Sequence, residues 1–389
     1  MIEHPPAELP TRSSAQAPQP LTLLTEADAY ALAGGPAAAR DDHHVGGATV
    51  VIGDAGTVVV VAAGDRPGGS GVWNAEEVRI VGPAPAPVRQ RLLDPLAERG
   101  ATGTESPVHL LARVPEGSVL YLGTGRVTQA GTTLPPGSPE AVLTDCAFRL
   151  ETPLSASALA RVRPPLPAPE LPGVEWLGEV NGDRASALAR FLTTWYPPTP
   201  PGGTTPPSPP GLPRPLRHFH ELAHDRPLAL GTQNALFPPV RLRTDPDGTL
   251  DIGTENQGIF TWSLRRPHDS PDPTVWFETD DGTLVPEAEP LSGFLLQFAL
   301  YEAATSADYL ALPHEPTPEQ IERLTRDLHP VPLAPFLPSY PTRFYVAPGL
   351  VLHLADAGDG YISAWAGATH RAALAPLTGT DTDWHRFDG

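Results

Sequence analysis

Leu250 to Phe277 reads LDIGTENQGIFTWSLRRPHDSPDPTVWF. Two short runs inside it, Ile259-Phe260-Thr261-Trp262 and Thr274-Val275-Trp276-Phe277, are crowded with aromatic and β-branched residues, the types that fit a pleated, half-buried surface. The connection between them is rich in Pro, Asp and Arg, so the stretch reads as two strands joined by a turn-laden loop. Ahead of the first strand stands Glu255-Asn256-Gln257-Gly258. An acid, two amides and a glycine suit a bend whose side chains bond the backbone.

The flanking segments carry further short motifs in a fixed order. Upstream are Leu212-Pro213, Pro215-Leu216 and Phe219-His220, followed by Thr232-Gln233-Asn234-Ala235-Leu236. Downstream is Pro290-Leu291-Ser292-Gly293-Phe294-Leu295-Leu296-Gln297. Together with the ENQG bend and the two tryptophan strands, this order resembles the SUKH superfamily, which includes bacterial immunity proteins and the yeast cell-wall regulator family. The resemblance covers residues 185 to 310, about a third of the chain. It implies an α+β domain acting as a protein-binding module that neutralises toxins or scaffolds partners, and it carries over no catalytic residues. The binding residues expected on that reading are Glu255, Asn256, Gln257, Gly258, Trp262 and Trp276, because aromatic anchors dominate interface energies.

Composition bounds the alternatives. With 389 residues the chain has room for two or three domains, each with a sizeable core. Its 51 prolines, 36 glycines and 18% charged residues favour strands, turns and coil over long helices. Every basic residue is arginine, a bias that a GC-rich genome produces. The absence of lysine removes Schiff-base and P-loop chemistry. A formal charge of −19 opposes nucleic-acid binding and attracts a basic protein, such as a basic toxin domain. A single cysteine, Cys146, cannot form an internal disulfide, which points to a cytoplasmic location. No apolar run approaches the roughly 18 residues of a membrane span, and MIEHPPAELP lacks the features of a signal peptide.

In order, residues 1–20 form a disordered tail, 21–162 a β-rich N-terminal domain, 163–183 a proline-rich linker, and 184–389 the SUKH-like α+β domain with a mobile loop at 197–213. In the first domain Thr25 caps a short helix, and Ala48 to Ile52 and Thr57 to Ala62 make a hairpin across Gly53-Asp54-Ala55-Gly56. Asp41-Asp42-His43-His44 reads as a solvated loop. Val88 to Arg99 has helical spacing, and strands are expected at Val108 to Val114, Ser118 to Leu122 and Cys146 to Leu150. In the second domain helices are expected at Arg184 to Trp195, Glu287 to Thr305 and Thr317 to Leu328. Three strands, Thr342 to Val346, Leu350 to Ala355 and Gly360 to Ala366, read as a small added sheet edge.

One motif looks catalytic. His220-Glu221-Leu222-Ala223-His224 is a literal H-E-x-x-H, which on a helix would set two zinc ligands on one face with Glu221 polarising a water. This zinc-dependent hydrolase is the alternative function. Against it, Leu216, Phe219, Leu222 and Ala223 already define a buried face and leave both histidines on its solvated flank. Pro227 then stops the helix, and a third ligand would have to be Glu287, Glu289 or Glu302. No G-x-S-x-G elbow occurs, and Asp145 beside Cys146 disfavours a thiolate.

Overall fold

The protein is represented by a computed structural model that describes all residues except 1–17, 35–39, 66–67, 94–106, 134–140, 165–166, 168, 200–208, 210, 247, 266–269, 280–281 and 359. It divides into two compact units, Met1–Leu166 and Pro167–Gly389, and its class is α+β. Among the described residues no helix is long and apolar enough to cross a membrane.

The first unit is a curled mixed sheet of nine strands. Its long path runs Arg40–Val45, Ala48–Gly53, Thr57–Ala62, Val108–Arg113, Val119–Thr132, Leu143–Leu150, Glu77–Ala84 and Gly71–Val72, all antiparallel except the parallel pair Thr57–Ala62 with Val108–Arg113. Two cores follow from the period of two along each strand. Val59 and Val61 join Leu110, Leu120 and Phe148 on one face, while Val58 and Val60 join Leu111 and Tyr121 on the other, under the helix Glu26–Ala31. Thr25 caps that helix as expected, its side chain accepting the amide of Asp28 at 3.2 Å. Asp41 to His44 are not a loop but an edge strand, paired residue by residue with Thr49 to Ile52. The missed signal is Gly46-Gly47, both at positive φ, a two-residue hairpin turn that only glycine accepts readily. The helix expected over 88–99 spans Ala86–Leu93, and its remainder lies outside the described residues. Cys146 is buried in its strand, and burial pushes the thiol far above its ordinary pKa.

The second unit wraps two antiparallel sheets around one helix. Leu291–Thr305 is apolar on every side, with twelve of its fifteen residues buried. A helix hydrophobic all round must be covered all round. Against it lie the helices Arg184–Trp195 and Arg214–Ala223, a five-stranded sheet (Ala235–Leu236, Thr249–Thr254, Thr261–Arg265, Thr274–Glu278, Leu284–Pro290) and part of a six-stranded one. Gly367 on the second sheet permits the contact, since a Cβ there would meet the Ala303 carbonyl at 2.3 Å.

Several expectations shift. Helix Arg184–Trp195 falls where the spacing places it, with Asp183 as its cap. The central helix starts at Leu291, not Glu287, because Leu284–Pro290 pairs as a strand and Pro290 is extended. Asp272 supplies the missing cap, its carboxylate accepting the amide and hydroxyl of Ser292 at 2.8 and 2.6 Å. The three strands near the end are the middle of the six-stranded sheet rather than an edge, flanked by His329–Pro330 on one side and by Tyr309–Pro313 and Trp384–Phe387 on the other. The proline-rich stretch 163–183 is also more than a spacer. Trp176 is buried in the core of the second unit, and the Pro172 carbonyl accepts the amide of Gly349 at 2.8 Å. Most of the loop at 197–213 lies outside the described residues.

Candidate functional site

The bend at Glu255–Gly258 closes the hairpin between Thr249–Thr254 and Thr261–Arg265. Its acid turns inward: Glu255 Oε2 accepts the amides of Gln257 at 2.8 Å and Ile259 at 3.3 Å. Gly258 takes φ +71°, and its amide donates to the Glu255 carbonyl at 3.0 Å. Asn256, Gln257 and Gly258 are thereby left facing solvent, with Ile259 51% exposed beside them.

A chain of buried polar groups fixes this bend. The amide of Asn256 donates to Asn234 Oδ1 at 3.2 Å. The backbone of the asparagine's own loop is gripped by Glu302, whose carboxylate accepts the amides of Thr232, Gln233 and Asn234 at 2.7, 2.8 and 2.8 Å. Burial raises the pKa of Glu302, while the three amides pull it back. Sequence reasoning placed Glu302 only as a possible zinc ligand. Its true role was legible in part, since Gln233-Asn234 stood out as a motif, but nothing local links residues 68 positions apart.

The two tryptophans separate. Trp262 is 0% exposed and cannot serve as a surface contact. Its ring lies among Phe260, Phe294, Phe298 and Phe336, with centroids 5.0 to 6.1 Å away. Its indole N–H donates to Glu287 Oε1 at 2.9 Å. Trp276 pairs with Ser263, one step out of register from the buried pair Trp262 and Phe277, and so faces the other side of the sheet. There it is half-buried, with the Arg265 guanidinium 5.8 Å from its ring centroid. Of the six binding candidates, Asn256, Gln257 and Gly258 are exposed, Glu255 and Trp276 are half-buried, and Trp262 is buried.

The two histidines of the H-E-x-x-H helix sit in different surroundings. His220 is buried rather than on a solvated flank; its Nε2–H donates to the Phe237 carbonyl at 3.1 Å, and burial lowers its pKa. Glu221 points to solvent with its side chain 62% exposed, 3.8 Å from His218 Nδ1. His224 sits 3.9 Å from Asp225. The possible third ligands are already committed: Glu287 to Trp262, Glu289 to Arg184 at 2.7 Å, and Glu302 to its three amides. Among the described residues no group of three or more His, Cys, Asp or Glu stands ready to hold a metal ion.

A cleft of about 710 Å³ opens beside this helix, lined by Asp183, Arg184, Arg214, Arg217, Glu221 and Asp272 among others. Its charges balance, three arginines against three carboxylates, and most are building structure. Asp183 and Asp272 cap helices, and Arg184 pairs with Glu289. Charge alone therefore selects no ligand for it. Comparison with protein-family models, with curated proteins and with solved structures found no match.

Proposed function

We propose that the second unit is a protein-binding module, and that the chain acts as an immunity or scaffold factor that neutralises or tethers a protein partner by covering it. The observation that carries this reading is the pre-organised bend: Glu255, Asn234 and Glu302 hold Asn256 to Ile259 in one conformation, so little ordering entropy is left to lose on association. Trp276 under Arg265 adds an aromatic ring and a guanidinium, the groups that anchor interfaces. The resemblance of residues 185 to 310 to the SUKH superfamily supports the same function. A charge of −19 favours a basic partner over nucleic acid, and the lone buried thiol suits the cytoplasm.

The test compares the proteins retained at low salt by the full chain with those retained by Ile259→Asp and Trp276→Ala, neither of which touches the buried tethers. A basic protein held by the wild type should be lost about tenfold with each variant. An identical set of retained proteins for all three would remove this surface from consideration.

A further inference from the structure

Leu212 to Glu221 reads LPRPLRHFHE and opens the helix Arg214–Ala223 with charges of the unfavourable sign. The start of a helix carries a partial positive charge and favours Asp or Glu. This one has no acid in its first turn, and Pro213 offers no capping side chain. Arg214 and Arg217 stand there instead, with His218 beside them. Their spacing of three and four residues puts them on one face, where the two guanidiniums repel each other. Leu216, Phe219, His220 and Ala223 form the buried face and hold the basic one outward. Cations at this end cost stability, and such a local conflict in an otherwise consistent helix is the mark of a functional surface.

That face lines the cleft of about 710 Å³. Counted by sign, the charges of the cleft cancel; counted by what each has already bonded, they do not. Asp183 accepts the amide of Ser186 at 3.2 Å and its hydroxyl at 2.7 Å, at the start of the helix Arg184–Trp195. Asp272 holds Ser292 in the same way at the start of Leu291–Thr305. Each of these carboxylates is offset by its donors and by the positive end of a helix. Arg184 is tied to Glu289 at 2.7 Å, and its Nε–H donates to the Val180 carbonyl at 3.3 Å. Glu221, largely in solvent, leans to His218 at 3.8 Å. Arg217 donates one N–H to the Leu212 carbonyl at 3.0 Å and, among the described residues, pairs with no carboxylate. Arg214 is exposed and makes neither an ion pair nor a side-chain hydrogen bond among them. The bonds from Ser186 hold Asp183 below its ordinary pKa, and the Arg214 charge adds to them from beyond ion-pair range.

Two guanidiniums are thus left for a ligand. The first turn also leaves the amides of Arg214 and Leu216 without an intrahelical acceptor, since the first such bond runs from Arg217 to the Pro213 carbonyl at 3.1 Å. Guanidinium forks match the oxygens of a phosphate, and amides at a helix start donate to the same group. A dianion meets both cations, whereas a single carboxylate leaves one unmet. The cleft lies within the roughly 300 to 1,000 Å³ of small-molecule sites and exceeds what an inorganic anion fills. Leu188, Ala185, Pro215 and Pro271 supply apolar lining for the rest of a ligand. The −19 charge of the chain repels a polyanion far more than a doubly charged ligand. We propose that the cleft binds a small phosphate monoester, its phosphoryl group held by Arg214 and Arg217 at the start of the helix Arg214–Ala223 and its organic part laid on Leu188 and Pro215. No residue lining the cleft belongs to the bend surface, so this site stands or falls apart from the protein-binding reading.

Phenyl phosphate, inorganic phosphate and benzoate, titrated separately into the full chain and followed by amide NMR shifts, test it. Phenyl phosphate should shift the amides of Ala185, Arg214 and Leu216 saturably. It should bind about tenfold more tightly than inorganic phosphate, which lacks the ring, or benzoate, which has one charge. Arg214→Gln and Arg217→Gln should each weaken phenyl phosphate about tenfold, whereas Arg265→Gln, outside the cleft, should leave it unchanged. Arg214 has no structural bond to lose, so Arg214→Gln decides the matter even if Arg217→Gln fails to fold. Shifts that do not saturate, inorganic phosphate or benzoate binding as tightly as phenyl phosphate, or full affinity in Arg214→Gln each overturn the site. An equal loss in Arg265→Gln also overturns it, since the attraction would then be general surface charge.

Discussion

The indole N–H of Trp262 donates to Glu287 Oε1 at 2.9 Å, joining a fully buried ring of the second unit to a buried carboxyl that has no counter-ion among the described residues. The folded-state pKa of Glu287 is raised from 4.5 to about 7. A native state that binds the proton more tightly than the unfolded chain is stabilised in full below about pH 4.5. That stability is lost as pH rises through about 7. The unfolding free energy of the second unit, read from urea denaturation, should therefore fall across this window by up to roughly 3 kcal/mol relative to Glu287→Gln, which has no such proton to lose. His353 works in the opposite sense. Its pKa is depressed to about 3, so its contribution is present above pH 6.5 and disappears on acidification. A wild-type and Glu287→Gln pair that track each other between pH 4.5 and 8 would contradict the assignment.

The two tryptophans should part company on truncation. Trp262→Ala removes a ring that touches four aromatic neighbours and strands the Glu287 carboxyl, so a loss of about 3 to 5 kcal/mol is expected. Trp276→Ala removes a half-buried ring with the Arg265 guanidinium over it, and should cost about 1 kcal/mol or less. Chemical denaturation followed by far-UV circular dichroism measures both. Equal costs would mean that the outer face of the sheet is packed rather than open.

Glu302 holds three consecutive amides, and Asn234 passes that order to the bend. Glu302→Gln keeps the volume but puts an amide donor where three donors already point. A loss of about 2 to 4 kcal/mol and broadened NMR signals from residues 255 to 259 are expected. Asn234→Ala should cost about 1 kcal/mol while loosening the same bend. Should the bend stay ordered in both variants, Glu255 alone would suffice to shape it.

Local patterns made much of this fold legible. The aromatic and β-branched run at 274–277 is a strand, the run at 259–262 enters one only at Thr261, with Ile259 and Phe260 still in the bend, and the spacing of Leu188, Phe191, Leu192 and Trp195 marks a helix with one buried face. Periodicity could not tell which face of the hairpin is covered. Trp262 and Trp276 look alike in sequence, and only the pairing register separates them. The start of the central helix was misplaced because its cap, Asp272, comes from a distant loop rather than from the preceding residues. Asp41 to His44 hid an edge strand because its residues are polar and mostly exposed, so no buried alternation shows. For the candidate site, the bend was readable from its composition, whereas the tethers through Asn234 and Glu302 are long-range contacts that no local rule predicts.

The H-E-x-x-H helix gives the last prediction, since packing and metal ligation demand different things of its two histidines. His220 is buried and its Nε2–H meets the Phe237 carbonyl, so His220→Ala should destabilise the second unit by about 2 kcal/mol or more. His224 is half-buried at the helix end, 3.9 Å from Asp225, and His224→Ala should stay within about 0.5 kcal/mol of wild type. A zinc centre would instead make the two substitutions equivalent: each would release bound zinc, and each would lower stability by the same binding energy. Denaturation midpoints for both variants, measured alongside the zinc content of the purified wild type, decide between the two. Near-stoichiometric zinc lost on either substitution would reinstate the hydrolase reading.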